Sequence, residues 1–596
     1  MRQRLRNTMY GREALTESTE DLVVGSTQLY EANGQMRYVP MPTPDPKDPL
    51  NLPQWRKWVA VIALCFYGAL AVSSEAIIGA LLPVFVLEYG GVDPKILAQG
   101  DLSNIGGPGR DLGDLLGSLD GPPLWRVSLL STAPMIVNGL ASWVLVPLSI
   151  AVGRRPVLLL CGALAWAGGI WAAASGGLDS HIAARCFQGI GAGTIDALVP
   201  LIIQDFMFIH ERSKAVAAVN ASTGLIIVGL GVGSPLIVTR LSWRWVYGIT
   251  SIVGFATWIS IIFCLPETRK IRTPDELAGK AVYPLEAGET RPRLDAARYG
   301  RRTLRTELGV FRVQGGGEEW GLALRAVWLA VRTTVFPNVL WCIALSAGLS
   351  GATGASHQVA SSVLIAGGWA FESLGIFVLP IVVACPFVWL FGGYFADRVS
   401  NGLARRRAGR REPEAHLANL LLPVAAGFAG PMVFGYAAQS AKTAALPSWV
   451  VLVGVFVLSF ATNTSQTVIS VYLVESYPNF AGPVLVTVST FRLIFGFLLS
   501  FDVTTWIDSM GFFGAFSIYS GVVAGVALVL PLIFWYGKRI RHWTAGRLER
   551  AENSSKVKLT DEDQEVREDI ELHPTTAAYR HPMHNARASL ENVPLQ

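Results

Sequence analysis

The sequence contains few charged residues for its length. Only 16% of its 596 residues are Asp, Glu, Lys or Arg, while 51% are hydrophobic and the mean hydropathy is +0.40. A soluble globular chain carries about 25% charged residues. The deficit argues against a large soluble protein and indicates many apolar segments buried in a membrane.

The sequence also lacks the patterns that build metal centres, disulfide frameworks and catalytic sites. No HExxH pair occurs among eight histidines, and GIGAG at 189–193 has neither the preceding strand nor the following lysine of a phosphate-binding loop. We therefore expect no metal, no cofactor, no nucleic-acid partner and no enzymatic activity. The six cysteines all fall in apolar runs, at Cys65, Cys161, Cys186, Cys264, Cys342 and Cys385.

Apolar runs predict twelve helices, each long enough to cross a hydrocarbon core of roughly 30 Å. This pattern predicts an all-α integral membrane protein with two six-helix bundles, at 58–265 and 335–536, joined by a polar linker at 266–334. The predicted spans are 58–86, 126–150, 156–176, 182–205, 217–239, 246–265, 335–357, 373–396, 417–439, 447–474, 484–506 and 512–536.

The chain has a polar tail at each end, 1–57 and 537–596. Because the N-terminal tail and the stretch from about 545 to 596 lack hydrophobic periodicity, we expect both to be disordered. The polar N-terminus also lacks the apolar core of a cleaved signal peptide. Residues 318–333 have amphipathic spacing, which fits either a helix on the membrane surface or an ordinary short surface helix.

Lys and Arg residues are distributed very unevenly over the loops. With the N-terminus inside, the inner segments carry 41 of them and the outer loops carry 5. Because Lys and Arg favour the cytoplasmic side of a membrane, both termini and the linker are predicted to lie in the cytoplasm.

Two opposite charges, Arg185 and Asp196, lie in the apolar fourth span. A charge there costs about 3 kcal/mol on insertion scales, so it usually faces a polar interior and has a function. On a continuous helix Arg185, Gln188 and Asp196 share one face, but eleven residues rise roughly 16 Å. Arg185 and Asp196 therefore cannot pair, and each needs a partner on another helix or water.

Further candidates lie in other spans. Glu75 in the first span offers a second carboxylate, and we expect that Glu75 or Asp196 carries a proton whose affinity Arg185 tunes. Arg492 in the eleventh span is predicted either to face the cavity or to extend toward the cytoplasm. Asp205 is predicted to form a structural latch with Arg154, Arg155 or Arg212.

Three motifs make the chain resemble a major facilitator superfamily transporter. Gly393, Ala396, Asp397 and Arg398 match the loop motif G-x-L-A-D-R, and Gly153, Arg154 and Arg155 match the end of its first-half copy. Ile150 and Ala151 replace the charged residues that usually precede G-R-R. The proton-linked motif R-x-x-Q-G-x-G is matched by Arg185, Gln188, Gly189 and Gly191, and a partial antiporter motif by Gly224, Gly229, Gly233 and Pro235.

The stretches 48–58, 202–215, 242–247, 265–269 and 472–492 are similar to fungal drug:proton antiporters of the twelve-span type. This resemblance implies a monomeric transporter in the plasma membrane that exports small organic compounds, drugs or secondary metabolites in exchange for protons by alternating access. A proton-coupled carrier of polyamines or other organic cations, and a non-transporting sensor on the same fold, remain alternatives.

The resemblance also implies roles for the motif loops and glycines. Gly153, Arg154, Arg155, Gly393, Asp397 and Arg398, with Asp205, are expected to gate the conformational change. Gly189 with Gly193, and Gly229 with Gly233 beside Pro235, have the small-xxx-small spacing that lets membrane helices approach closely.

Overall fold

The structure is a computed structural model. It describes residues 26–30, 36–91, 121–270, 272–277, 279, 282–283, 291–303, 307–309, 318–407, 409–442 and 446–546. Residues 1–537 form one compact unit. Residues 538–596 form a second unit, of which 538–546 are described and helical.

Helices dominate the described residues and occur at all twelve predicted positions. The longer ones are α1 (Gln54–Tyr89), α2 (Leu124–Ala151), α3 (Arg154–Ala173), α4 (Leu178–Ala192), α5 (Leu198–Phe206), α6 (Arg212–Ile227), α7 (Gly233–Arg240), α8 (Trp243–Cys264), α9 (Glu318–Thr333), α10 (Pro337–Ala366), α11 (Leu379–Val388), α12 (Ala396–Arg406), α13 (Leu421–Lys442), α14 (Val450–Ser476), α15 (Ala481–Phe501) and α16 (Val503–Ala527).

Short elements complete or connect these helices. Tighter 3-10 turns cover Pro49–Asn51, Phe371–Val378, Pro413–Leu420 and Pro478–Phe480, and single helical turns cover Pro274–Leu277 and Ala296–Tyr299. Wider π-helical turns, Val228–Val232 and Trp389–Phe395, join α6 to α7 and α11 to α12. Two-residue strands β1 (Thr27–Gln28) and β2 (Arg410–Arg411) pair antiparallel.

Nine helical stretches of the described chain are long and apolar enough to cross a membrane. The predicted fourth span divides into α4 and α5, and the predicted fifth span divides into α6 and α7. The helical stretch that begins at Val503 is broken at Gly511 (φ 77°), and the predicted twelfth span, 512–536, starts directly after this break. The chain is thus an all-α integral membrane protein.

Helix α9 has a defined place between the two halves of the chain. Its buried face, Ala326 and Ala330, packs toward α2 and α15, and Thr487 Oγ1 donates to the carbonyl of Ala330 at 2.7 Å. Trp320 and Trp328 on its other side are more than half exposed. The helix therefore packs on two spans and exposes an apolar face. This arrangement favours a helix on the membrane surface over an ordinary surface helix.

The N-terminal tail differs from its predicted disorder. Residues 26–30 and 36–52, called the N-terminal segment below, make defined contacts with the rest of the unit. Asp48 caps the turn at Pro49–Asn51 and accepts from Arg272 Nη2 at 2.7 Å. Apolar side chains, including Leu29 and Val39, are fully buried. Burial of these apolar side chains stabilises the folded segment, although the tail as a whole has a polar composition.

Candidate functional site between the two halves

The fourth predicted span is broken in its middle, contrary to the continuous helix expected. Helix α4 ends at Ala192, residues 193–197 form turns, and α5 begins at Leu198. Pro200 has no backbone N–H to bond the carbonyl of Asp196, four residues earlier, so a regular helix cannot continue there. The shared face therefore ends at Ala192, and Asp196 stands at a turn.

Asp196 forms an ion pair with Arg492, which lies in the other half of the chain. Arg492 Nη2 donates to Asp196 Oδ2, and Arg492 Nη1 donates to Ser350 Oγ at 3.2 Å. The side chains are 11% exposed for Arg492 and 23% for Asp196. Of the two orientations predicted for Arg492, the structure shows the one facing the interior. The pair joins the halves through charge rather than through apolar packing alone.

A small cavity lies beside this pair. Its polar lining comes from Asp196 and Asn220 in the first half and from Gln466 and Ser470 in α14 of the second half. The remaining wall is apolar and consists of Ile195, Val199, Pro200, Ile203, Val216 and Val219. A mostly apolar cavity with a few convergent polar groups is the ordinary form of a small-molecule site.

Arg185 lies elsewhere, inside the first half. It is 1% exposed, donates to Gln188 Oε1 at 2.5 Å and to the Leu130 carbonyl at 3.3 Å, and stands 5.9 Å from the ring centre of Tyr247. The structure therefore brings Gln188 to Arg185 but places neither with Asp196. The side chain of Glu75 lies outside the described residues, so its partners stay a prediction.

A hydrogen-bonded chain next to Arg185 went unnoticed in the sequence. His181 Nδ1 contacts Tyr89 Oη at 2.9 Å, and His181 Nε2 contacts Tyr247 Oη at 2.8 Å. His181 precedes Arg185 by four residues on α4, so the two share a helix face. This four-residue spacing is visible in the sequence and could have indicated the network, because two polar residues one turn apart in an apolar helix are typical of internal hydrogen bonding.

The G-R-R turn between α2 and α3 is held by Glu267, the acid of the LPETR stretch. Gly153 has φ 126°, a conformation that favours glycine, and the backbone N–H groups of Arg154 and Arg155 donate to the two Glu267 oxygens at 3.0 and 3.2 Å. Arg154 Nε lies 3.3 Å from Asp205 Oδ2. Asp205 thus contacts one of the three cations expected for it.

The second-half motif bridges the two halves at this same end, called the linker end because the segment after α8 emerges there. Asp397 Oδ2 accepts from the backbone N–H of Lys214 at 3.2 Å. A Cβ on Gly393 would lie 2.8 Å from the Cβ of Ala217, so only glycine permits this approach. Arg398, by contrast, donates to Tyr394 in the adjoining π-helical turn, at 2.9 Å on the exposed surface of the same half.

A buried charge cluster at the linker end of the second half was also missed. Arg411 donates to Glu475 at 2.8 Å and contacts His416 Nε2 at 2.7 Å, and all three side chains are at most 1% exposed. Glu475 lies in the last turn of α14, the helix that lines the cavity. The YLVES stretch contained this acid, but nothing in the sequence connected it to an arginine 64 residues earlier.

The packing glycines divide into two cases. Gly189 and Gly193 lie against α2, where an added Cβ would meet the carbonyls of Pro134 and Asn138 at 2.8 and 2.7 Å. The expectation is wrong for Gly233, whose Cβ would meet only Ile237 of its own helix, at 3.8 Å. The π-helical turn shifts the register, so the close approach falls instead at Gly231, against Val378. Pro235 is buried, and the surroundings of Gly229 lie outside the described part of the chain.

Comparison with known proteins identifies the family. The model of the Major Facilitator Superfamily matches residues 64–500, so the chain belongs to this superfamily of membrane transporters. It is 22% identical to the MFS-type transporter C1271.10c of Schizosaccharomyces pombe, over 91% of this chain and 95% of that one. It is 24% identical to the efflux pump FUBT of Fusarium oxysporum, over 90% and 82%.

Solved structures show the same fold. The human organic anion transporter MFSD10 (TETRAN) aligns with a TM-score of 0.50 at 18% identity, covering 80% of this chain and all of that one. The proton:xylose symporter XylE aligns with a TM-score of 0.50 at 16% identity, covering 80% and 96%. The chain is therefore a multi-pass transporter of the major facilitator fold, and not an enzyme.

Proposed function

We propose that the protein exports small organic compounds in exchange for protons by alternating access of the cavity between its two halves. The observation that carries this proposal is the Asp196–Arg492 ion pair beside the cavity. Likeness to the efflux pump FUBT supports export, and substrate sites at the interface of repeated bundles are general in such transporters.

The ion pair gives proton binding a way to act on conformation. A proton on Asp196 removes its charge, and Arg492 then loses its partner in the other half. The halves are held less tightly, and the cavity opens. Once water reaches the cavity, Asp196 releases the proton and the pair re-forms. Glu75 is the second carboxylate that the sequence offers for this step.

Asp196 also supports a second candidate, an organic-cation carrier such as a polyamine carrier. The cavity has one acid, Asp196, among the neutral polar groups Asn220, Gln466 and Ser470. A cationic substrate that takes the place of Arg492 would satisfy the carboxylate. Arg492 would then swing away as the substrate enters, and binding would need the charge of Asp196.

Transport in proteoliposomes tests both candidates. Vesicles with an imposed pH gradient are assayed for uptake or release of labelled hydrophobic drugs and of labelled polyamines. We expect substrate movement that depends on the gradient and is lost in Asp196→Asn. If Glu75→Gln and Asp196→Asn both keep full pH-driven transport, the proton proposal fails. If no compound moves under any gradient, a non-transporting sensor on this fold is favoured.

A further inference from the structure

The N-terminal segment is bound to the second half of the transporter through its backbone. Strand β1 pairs with β2 in the register Thr27 to Arg411 and Gln28 to Arg410. The N–H of Leu29 donates to the Gly409 carbonyl at 2.8 Å, and Ser26 Oγ donates to Glu412 at 2.6 Å. These contacts extend the loop after α12 by one strand.

The same segment is bound to the first half a few residues later. The N–H of Ile209, between α5 and α6, donates to the Val39 carbonyl at 2.8 Å, and the rings of Tyr38 and Phe208 lie 4.8 Å apart. A small buried cluster results, in which Leu29, Tyr30 and Val39 contact Ile209 of one half and Ala404 of the other. The segment therefore contacts both halves at the linker end.

Both attachment points connect to the groups that line or gate the cavity. Arg411 of β2 binds Glu475 at the end of α14, whose Gln466 and Ser470 line the cavity. Ile209 lies four residues after Asp205. An opening at the linker end must separate these two loops, and the segment contacts both of them.

We propose that the N-terminal segment is a strap that holds the two halves together at the linker end, and that it must leave β2 before the cavity opens there. This inference rests on the alternating-access proposal above. The partner surface, 404–407 and 409–412 together with 207–209, takes a segment of this same chain. Release of the strap is therefore a point at which the rate of transport is controlled.

A reversible cross-link tests whether the strap must leave. Directly opposed Cα atoms in antiparallel strands are about 4.5–5.5 Å apart, within the range that a disulfide spans. We expect the full-length Gln28→Cys/Arg410→Cys variant to lose labelling of the cavity from the linker end after oxidation and to regain it after reduction. The variants with one of these two cysteines control for the native cysteines.

The labelling readout uses Ser470→Cys in the cavity and a maleimide reagent added from the linker end, and it counts only label on the peptide that contains residue 470, because the two reduced cross-linking thiols also react with maleimide. It needs neither a substrate nor a pH gradient, so it separates failure of the strap from failure of the transport proposal. Unchanged labelling of the fully cross-linked protein overturns the inference, because the cavity would then open with the strap in place.

Loosening the strap gives the opposite result. Leu29→Asp places a charge in the buried cluster, and we expect faster labelling of Ser470→Cys, within the roughly 5- to 150-fold range of conformational couplings. Leu29→Met conserves volume and polarity and should label at the original rate. Equal rates for Leu29→Asp and Leu29→Met, in proteins that elute as folded monomers, refute the strap.

Discussion

The Asp196–Arg492 pair leads to a quantitative prediction about how the halves are held together. At an effective dielectric of 20 and about 3 Å separation, two unit charges attract by about 5 kcal/mol. Both side chains are mostly buried, so desolvation cancels much of this attraction. We expect a net coupling of about 1–3 kcal/mol between the two residues.

A double-mutant cycle measures this coupling. The free energies of unfolding of the starting protein, Asp196→Asn, Arg492→Gln and the double variant are compared in the same detergent micelles. The stability losses of the two single variants should add up to more than the loss of the double variant, because each single variant leaves one buried charge unpaired.

The chain offers a matched control in Arg126 and Asp179. Arg126 Nη2 and Asp179 Oδ1 lie 2.8 Å apart, but the two side chains are 43% and 78% exposed, and both residues belong to the first half. The same cycle on this pair should give about 0–1 kcal/mol. A coupling below about 0.5 kcal/mol for Asp196 and Arg492 would refute the reasoning, since the interface would then be held by packing alone.

Three further predictions concern the linker end. Gly153→Ala should cost about 1–3 kcal/mol and lower the melting temperature, because φ is 126° and the new Cβ would lie 2.6 Å from a Glu267 oxygen. Glu475→Gln should cost about 3–5 kcal/mol in unfolding experiments, since it leaves a buried arginine without its counter-charge. Burial acts to raise the pKa of Asp48, but Arg272, Lys270 and the Thr43 N–H outweigh it and hold that pKa well below its usual range. The stabilisation by Asp48 is therefore complete above about pH 4 and is lost as pH falls through the folded-state pKa, so Asp48→Asn should be less stable at pH 7, with a difference that narrows in acid.

The spans could be predicted from the sequence because apolar length determines which helices cross a membrane. Interruptions inside spans were harder to predict. Pro200 was visible in the sequence, but its effect on Asp196 depends on a carbonyl four residues away, and the hydropathy pattern does not change there. Hydropathy likewise continues through the π-helical turn that moves the close approach from Gly233 to Gly231.

The candidate site was predicted as a set of residues but not as a set of pairs. Asp196 and Arg492 were both candidates, yet their contact spans 296 residues and depends on how two halves meet. Arg185 was grouped with Asp196 by helical spacing, and the broken helix separates them. Leu29 and Val39 gave no signal, because isolated apolar residues in a polar segment have no periodicity from which burial can be predicted.

The strap has a consequence for how the protein is made. Ser26 and its partner Glu412 are 386 residues apart in the chain, so the segment emerges from the ribosome long before its binding strand exists. Residues 26–30 cannot pair with β2 until the loop after α12 has been made, although the helices from α13 onward still follow. Docking of residues 26–30 therefore reports that the loop after α12 has folded, and an antibody against residues 26–30 would recognise chains in which that loop has not yet formed.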